Sequence, residues 1–386
     1  MIYLKQPIFY LLTFLLCWSI HHPCAGQLFT IKYQPGKVLQ TNPDVINLDI
    51  GESRLERFTS YSMQVHRQTY GEKEWEQRYN YPTYGLGINV TNFYMRDKLG
   101  VPISLYGHFS SCFVRGRRIE FAYEFNVGLA FNWKTFEAGK NEYYAAPGSR
   151  VSVYVSPGLG LRYRINDYFK IATMLSIAHF SNSATQLPNR GINMFAPSIQ
   201  LTFSNHKEKQ EFIRTEWSTF QAKNELIVNT FIGNKHRPYK EEEGKNKYYY
   251  TQNYFPQFGV QLTFNRHFSY TSKVGFGVDF LLDNAILTKY SVEEASDVDG
   301  NKTPFSDRIA ISIFPSYEIQ VNKTSMFVQP GFYIVRKNTS YDNPGYYQRI
   351  GMRHRLTDRL LIGANVRAYR FHVADFVEWT VGYKIF

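Results

Sequence analysis

Two side chains that could perform nucleophilic catalysis lie two positions apart in the stretch AHFSNSATQLPNRGIN, residues 178–193. A serine hydroxyl attacks an ester when a neighbouring base removes its proton and a third group orients that base. His179 and Ser181 supply a base and a hydroxyl. Residues i and i+2 lie on the same face of a strand, so the two side chains could meet. The alternative interpretation is a hydrogen-bonded pair at the tip of a polar hairpin.

The flanking strands determine where these side chains point. The preceding strand, FKIATMLSIAHFS (169–181), places His179 and Ser181 on its apolar face. The following strand, NMFAPSIQLTFS (193–204), places Asn193 on its apolar face. Because successive side chains alternate between the two faces, the three polar groups should lie at the rim of one apolar wall. That position is unusual for a channel and suitable for an enzyme that acts on a lipid.

A period of two dominates the chain beyond residue 55 and predicts an all-β fold. Segments of about 10–13 residues alternate, as in VSVYVSPGLGLRY over 151–163, and they are longer than ordinary globular strands. One face is apolar, the other is rich in Gly, Ser, Lys and Arg, and aromatic residues are abundant, as in outer-membrane barrels. Lipid offers no hydrogen-bond partners, so strands can cross it only as a closed barrel. The pattern therefore predicts a transmembrane antiparallel β-barrel of the outer membrane.

We expect about sixteen strands, with twelve or fourteen as alternatives. Short turns mostly alternate with long polar loops, which assigns the turns to the periplasm and the loops to the outside. Segments 68–82 and 205–222 are long where short turns are expected, and the second could be a boundary between two smaller barrels. The favoured arrangement is one barrel over 27–386, in which 27–205 carries the candidate site and 206–386 adds strands.

Residues 1–26 have the features of a secretory signal peptide: Lys5, an apolar run over 8–18, and small residues before a cleavage after Gly26. A membrane anchor is the alternative, but the apolar run is shorter than the ~20 residues of a spanning helix. The exported chain then keeps one cysteine, Cys112, so no internal disulfide is expected. These features predict export to the outer membrane of a Gram-negative bacterium.

No metal or organic cofactor is implied by the sequence, and nothing in it indicates a nucleic-acid partner. The loop EEASDVDGNK (293–302) has acids at calcium-like spacing but lacks the distal bidentate Glu of a calcium loop. We interpret it as a solvated loop. The formal net charge of +12 is consistent with attraction to a phosphorylated surface.

The stretch HFSNSATQLPNRGIN resembles the signature of the PagL-type lipid A 3-O-deacylases, written roughly His-aromatic-Ser-Asn-Ala followed by Pro-Asn-x-Gly-Ile-Glu. The resemblance covers about residues 28–205 and is strongest over 168–204. Longer proteins described as acyloxyacyl hydrolases also look similar. The positions that match at the family spacing are His179, Ser181, Asn182, Pro188, Asn189, Gly191 and Ile192.

This resemblance implies an outer-membrane enzyme that hydrolyses the ester linking a 3-hydroxyacyl chain to lipid A, with lipopolysaccharide as its partner. Ser181 would be the nucleophile and His179 the general base. The further candidate residues are Asn182, Asn189 and Gly191, with oxyanion or structural roles, and Arg190, which could contact the phosphates of the substrate.

The triad acid of the family falls on Asn193 in this sequence. An asparagine can accept a hydrogen bond from His179 and fix its tautomer, but it cannot stabilise the imidazolium by charge. An acid-to-amide change in a serine triad can lower the rate by ~10⁴. Three interpretations follow: a working Ser-His-Asn site, an acid supplied from elsewhere, or an inactive barrel. The alternative class is a porin-like or structural barrel, and a lumen narrowed by large inward side chains would favour the enzyme.

Overall fold

The structure of the chain is a computed structural model. Within the part it describes, no helix is long and apolar enough to cross a membrane. The described residues are 27–39, 55–135, 148–187, 189, 191–205, 207, 211–217, 219–236, 239–240, 248–249, 254–285, 304–337, 345–371 and 373–386.

The first half of the chain forms an antiparallel barrel of eight strands, in which the last strand pairs with the first and closes the sheet. Helices α1 (Glu74–Arg78) and α2 (Arg96–Leu99) lie between its strands. The strands are β1 (Gln27–Val38), β2 (Arg57–Gln68), β3 (Thr83–Asn92), β4 (Gly100–Arg115), β5 (Ile119–Trp133), β6 (Ser152–Arg164), β7 (Phe169–Ser181) and β8 (Ile192–Ser204).

The second half forms another closed barrel of eight strands, in which the last strand again pairs with the first. A two-stranded sheet, β10 (Tyr239–Lys240) with β11 (Tyr248–Tyr249), and helix α3 (Phe305–Arg308) lie between its strands. The strands are β9 (Asn224–His236), β12 (Tyr254–His267), β13 (Ser272–Asp283), β14 (Ile309–Val321), β15 (Thr324–Val335), β16 (Tyr346–Arg355), β17 (Leu360–Tyr369) and β18 (Val373–Lys384).

The sixteen barrel strands confirm the predicted fold class and strand number. The favoured single barrel is wrong, because the strands close as two sets of eight rather than one set of sixteen. The alternative boundary at 205–222 is the correct one, since this segment connects β8 to β9. The predicted signal peptide (1–26) and the calcium-like loop (293–302) lie outside the described residues.

The outer walls of both barrels are apolar, as the alternation predicts. Leu86 is 73% exposed, and Phe276 and Ile350 are each 64% exposed. Side chains of this kind follow one another on the outward face of each strand, whereas the inward face is buried. Such a surface is stable against hydrocarbon, and the closed sheets leave no unpaired strand edge. Both barrels are therefore built to cross a membrane.

The lumen of the first barrel is filled by side chains. For orientation, we call the end of the first barrel that carries Ser181 and the end of the second barrel that carries His236 the loop ends, and we call the opposite ends the turn ends. Midway along, Lys32 Nζ donates to Glu124 Oε1 at 2.6 Å, and Gln200 Nε2 donates to the second oxygen at 2.9 Å. Towards the loop end, an apolar cluster closes the lumen; its rings are Phe58, Phe93, Trp133, Tyr154 and Phe180.

The lumen of the second barrel is filled by a compensated charge network. The fully buried guanidinium groups of Arg349 and Arg367 lie between Asp279 and Glu378. Arg349 contacts the two carboxylates at 2.7 and 2.6 Å, and Arg367 contacts them at 2.5 and 2.8 Å. Two cations facing two anions can be buried because each charge is paired and hydrogen-bonded. Large inward side chains thus narrow both lumens, and a cavity of about 600 Å³ remains at the turn end of the second. A narrowed lumen is the arrangement expected of an enzyme rather than a porin.

The unexpectedly long segment 68–82 has a structural explanation. The ring of Tyr81, in this segment, stacks on the ring of Phe212, in the segment that connects β8 to β9, and the two ring centroids are 4.2 Å apart. Its neighbour Tyr79 donates a hydrogen bond to the carbonyl oxygen of Gln320 in the second barrel at 2.8 Å. Burial raises the pKa of the Tyr79 hydroxyl, so it remains a donor. The segment therefore joins the two barrels at their turn ends.

We predict that Glu378→Ala destabilises the second barrel by about 3–5 kcal/mol, because it leaves two buried guanidinium groups facing one carboxylate. Urea unfolding of the protein in detergent, followed by tryptophan fluorescence, measures the change. The control is Asp97→Ala, which removes a fully solvent-exposed carboxylate and should leave the midpoint unchanged. Equal midpoints for the two variants would show that the network does not stabilise the barrel.

Candidate active site

The predicted site residues lie at the loop end of two paired strands, β7 and β8. His179 and Asn193 are direct cross-strand partners. On β7 the outward residues run through Ile177 and His179 to Ser181, and the even-numbered neighbours point into the lumen. The alternation of the two strands therefore brings the three polar groups to the outer wall, directly above apolar side chains.

The imidazole of His179 is oriented by Asn193. Its Nδ1 lies 2.6 Å from the amide oxygen Oδ1 of Asn193. Because an amide oxygen only accepts, Nδ1 carries the proton and Nε2 keeps a free lone pair. A neutral imidazole in this tautomer is ready to take a proton at Nε2. The amide thus performs the orienting part of the function that a triad acid would perform.

The hydroxyl of Ser181 has different partners. Its Oγ lies 3.0 Å from Asn189 Nδ2 and 3.2 Å from Asn189 Oδ1, and it accepts a hydrogen bond from the backbone N–H of Ser183 at 3.0 Å. Among the described residues, His179 is not one of its hydrogen-bond partners. The side chain is 9% exposed. The structure therefore directs the hydroxyl towards Asn189 rather than towards His179.

The turn after Ser181 is built by Asn182. Its amide oxygen accepts the backbone N–H of Ala184 at 3.0 Å, and its amide nitrogen donates to the carbonyl oxygen of Gln186 at 2.7 Å. Ser183 and Ala184 follow each other in the left-handed region, with φ values of 54° and 60°. The Asn182 side chain is thus engaged in the turn, which favours the structural role among those expected for it. The amide of Asn189 is the one that contacts the hydroxyl.

Gly191 allows the imidazole to lie against the backbone. Its φ is +65°, a conformation that favours glycine. A Cβ at this position would lie 3.0 Å from Cε1 and 3.7 Å from Nε2 of His179. The absence of a side chain at Gly191 therefore lets the imidazole of His179 pack closely against the backbone. Arg190 and Pro188 lie outside the described residues.

A neighbour that the sequence did not indicate comes from the second barrel. The imidazole of His236, at the loop end of β9, lies close to the backbone of Thr185 in the turn after Ser181. It also packs edge-on against Tyr254 with ring centroids 4.3 Å apart. More than fifty positions separate the two contacting residues, so no local pattern could have revealed this contact. Across the described part of the chain, no group of three or more metal-binding side chains is found.

Comparison with known proteins yields two matches to sequence models of families. Residues 59–202, in the first barrel, match the model described as lipid A 3-O-deacylase (PagL). Residues 224–386, the second barrel, match the model described as acyloxyacyl hydrolase, C-terminal domain. No curated protein matches the chain at a significant level.

Among solved structures, the chain is similar to the outer-membrane enzyme PagL, with 16% identity and a TM-score of 0.31, over 44% of this chain and 97% of that one. It is also similar to CdiB from Acinetobacter baumannii, with 10% identity and a TM-score of 0.20, over 94% of this chain and 60% of that one. A variant of the Rh. blastica porin is similar at 7% identity and a TM-score of 0.16, over 93% of this chain and 99% of that one.

We predict that Gly191→Ala destabilises the first barrel by about 1–2 kcal/mol, the cost of a left-handed non-glycine residue, and displaces His179. Urea unfolding in detergent measures the loss. Gly345→Ala is the matched control, because a Cβ there meets no atom within 4 Å. If both variants unfold at the wild-type midpoint, the proposed close packing of Gly191 on His179 is incorrect.

Proposed function

We propose that Ser181 and His179 hydrolyse an ester-linked 3-hydroxyacyl chain of lipid A in the outer membrane. The premise of this proposal is that the chain belongs to the lipid A 3-O-deacylase (PagL) family. The observation that carries this proposal is the 2.6 Å hydrogen bond between His179 and Asn193. It orients a general base beside a serine on a lipid-facing wall. Export through a cleaved signal peptide over 1–26 is part of the same proposal.

The position of the site suits an acyl ester of a membrane lipid. The outward residues next to His179 and Asn193 towards the membrane are Ile177 and Phe195, which are 53% and 41% exposed. An ester group at the rim of the bilayer has its acyl chain in hydrocarbon and its sugar in the polar region. The hydroxyl of Ser181 lies at this boundary. A water-soluble ester would have no need for an apolar wall.

The reaction that we propose begins with rotation of the Ser181 side chain away from Asn189 and towards His179. Oγ then attacks the ester carbonyl carbon while its proton passes to Nε2 of His179. The Oδ1 of Asn193 continues to accept the hydrogen bond from Nδ1–H, which keeps the imidazolium in place. The amide N–H group of Asn189, already beside Oγ, can donate to the oxyanion.

Collapse of the tetrahedral intermediate breaks the bond to the sugar oxygen, which takes the proton from His179. The acyl group is then bound to Ser181 as an ester. Water attacks this acyl-enzyme with His179 as general base, and the free 3-hydroxy fatty acid is released. In this scheme no metal is required, and Arg190 would contact a phosphate of lipid A.

A catalytically inactive barrel is the second candidate. The observation that favours it is the orientation of Ser181, whose hydroxyl bonds with Asn189 and Ser183 rather than with His179. The amide at position 193 also lacks the negative charge that stabilises an imidazolium. Mass spectrometry of lipid A and the rates of Asn193 variants separate an enzyme slowed by Asn193 from a barrel without activity.

Lipid A from cells that express the protein should lack one hydroxyacyl chain, and mass spectrometry detects this loss. Ser181→Ala and His179→Ala should restore the complete lipid A, because each removes a reacting group. Ser60→Ala is the control, since that serine bonds to Thr91 inside the lumen. An identical lipid A profile with and without the protein would exclude the proposed activity.

Asn193→Glu should raise the deacylation rate about tenfold or more, because a carboxylate would add charge stabilisation of the imidazolium to the existing hydrogen bond. Asn193→Leu should lower the rate, because it removes the acceptor that orients His179. Rates are measured on purified lipopolysaccharide in detergent. A lower rate for the glutamate variant would mean that the site is adapted to the amide.

A further inference from the structure

A cavity of about 600 Å³ lies in the lumen of the second barrel at its turn end. We call this cavity the vestibule. All eight strands contribute a side chain to its lining, from Glu225 on β9 to Lys384 on β18. Phe220, in the segment that connects β8 to β9, also lines it. Pockets for small organic ligands typically measure ~300–1,000 Å³, so the vestibule is large enough for one such ligand.

The inner part of the vestibule carries balanced charge. Lys273 Nζ donates to Glu225 Oε1 at 2.7 Å and to Glu318 Oε1 at 3.1 Å. The guanidinium of Arg353 donates to the other carboxylate oxygen of Glu318. All four of these side chains are buried. Two cations thus face two carboxylates, and this part of the lining needs no further counter-ion.

The rim of the vestibule, by contrast, carries an excess of positive charge. Four cationic side chains line it without an ion-pair partner among the described residues: Lys223, Lys323, Arg355 and Lys384. In the described lining, the one carboxylate besides the buried pair belongs to Glu74, which contacts Arg78 at 3.2 Å. The rim therefore lacks an anion that would balance its four cations.

These four cations form two neighbouring pairs. The backbone N–H of Arg355 donates to the carbonyl oxygen of Lys323 at 2.9 Å, so these two residues are adjacent. Lys223 immediately precedes β9 and Lys384 ends β18, and these two strands pair with each other. Between the pairs lies β17, whose Leu361 is the cross-strand partner of Arg355 and also lines the vestibule. The rim thus places an apolar side chain between two groups of uncompensated cations.

This combination of side chains is suited to an organic phosphate. Lysine and arginine side chains donate strong, charge-assisted hydrogen bonds to phosphate oxygens. A phosphate monoester carries a charge of about −1.5 to −2 at pH 7, which several unpaired cations balance better than they would a single carboxylate. The apolar side chains of Phe220, Ile227 and Leu361 offer a surface for the organic part of the ligand.

We propose that the vestibule binds a small, soluble organic phosphate, whose phosphate group contacts Lys323, Arg355 and Lys384 and whose organic part packs against Leu361. Paired strands close the lumen on all sides, so a ligand enters from the turn end rather than from the lipid. Short turns of outer-membrane barrels lie in the periplasm, and the ligand would come from that compartment. The site is at the opposite end of the barrels from Ser181, and this inference does not rest on the proposed hydrolysis.

Isothermal titration calorimetry of the full chain in detergent, in a buffer without phosphate, tests the site with glucose 6-phosphate as the probe. We expect saturable binding of glucose 6-phosphate and none of glucose. Arg355→Gln and Lys384→Gln should each weaken binding about tenfold, because each removes a charge-assisted hydrogen bond. Arg266→Gln is the charge-matched control, since Arg266 is an exposed residue at the turn end of β12 that does not line the vestibule.

Absence of saturable binding would overturn the site, and so would equal weakening in all three variants, because that result indicates a diffuse attraction to surface charge. Dihexanoyl phosphatidic acid separates the two sources of a phosphate group. If it binds and glucose 6-phosphate does not, the proposed soluble ligand is wrong. Should a variant at the rim not fold, Lys323→Gln, which changes an exposed side chain, decides instead: it should weaken binding about tenfold, and unchanged affinity would contradict the site.

Discussion

Closure of the hydrogen-bond ladder is the constraint on which the rest of the structure depends. A strand edge exposed to lipid would leave its N–H and C=O groups without partners, so β8 must return to β1 and β18 must return to β9. Once the sheet is closed, alternation divides every strand into a lipid side and a lumen side. That division places His179 and Asn193 on the lipid side as direct partners.

The same division explains why each barrel has a polar interior that is nevertheless closed. The first lumen combines the Lys32–Glu124 pair with an apolar cluster at the loop end. The second contains Asp279, Glu378 and two arginines, paired and without solvent exposure. These side chains narrow both lumens, whereas His179 and Asn193 lie on the outer wall of the first barrel.

Much of this could be predicted from the sequence, because the determinants are local. The period of two located sixteen strands and the faces of His179, Ser181 and Asn193. The number of barrels could not be predicted in the same way, because the closing pairs join strands far apart in the chain. The partner of the Ser181 hydroxyl depends on a side-chain rotation and on Asn189, and the contact of His236 with Thr185 depends on how two barrels pack. The period of two along the strands gives no information about the number of barrels, the partner of the Ser181 hydroxyl or the packing of one barrel on the other.

The most direct test of the central claim is to trap the acyl-enzyme on Ser181. Purified protein is mixed with lipopolysaccharide, quenched in acid, digested, and examined by mass spectrometry for the peptide that contains Ser181. The proposed mechanism predicts an added mass of one 3-hydroxyacyl group on Ser181, and no such adduct in His179→Ala. Release of the fatty acid with no adduct on Ser181, or an adduct on another residue, would contradict it.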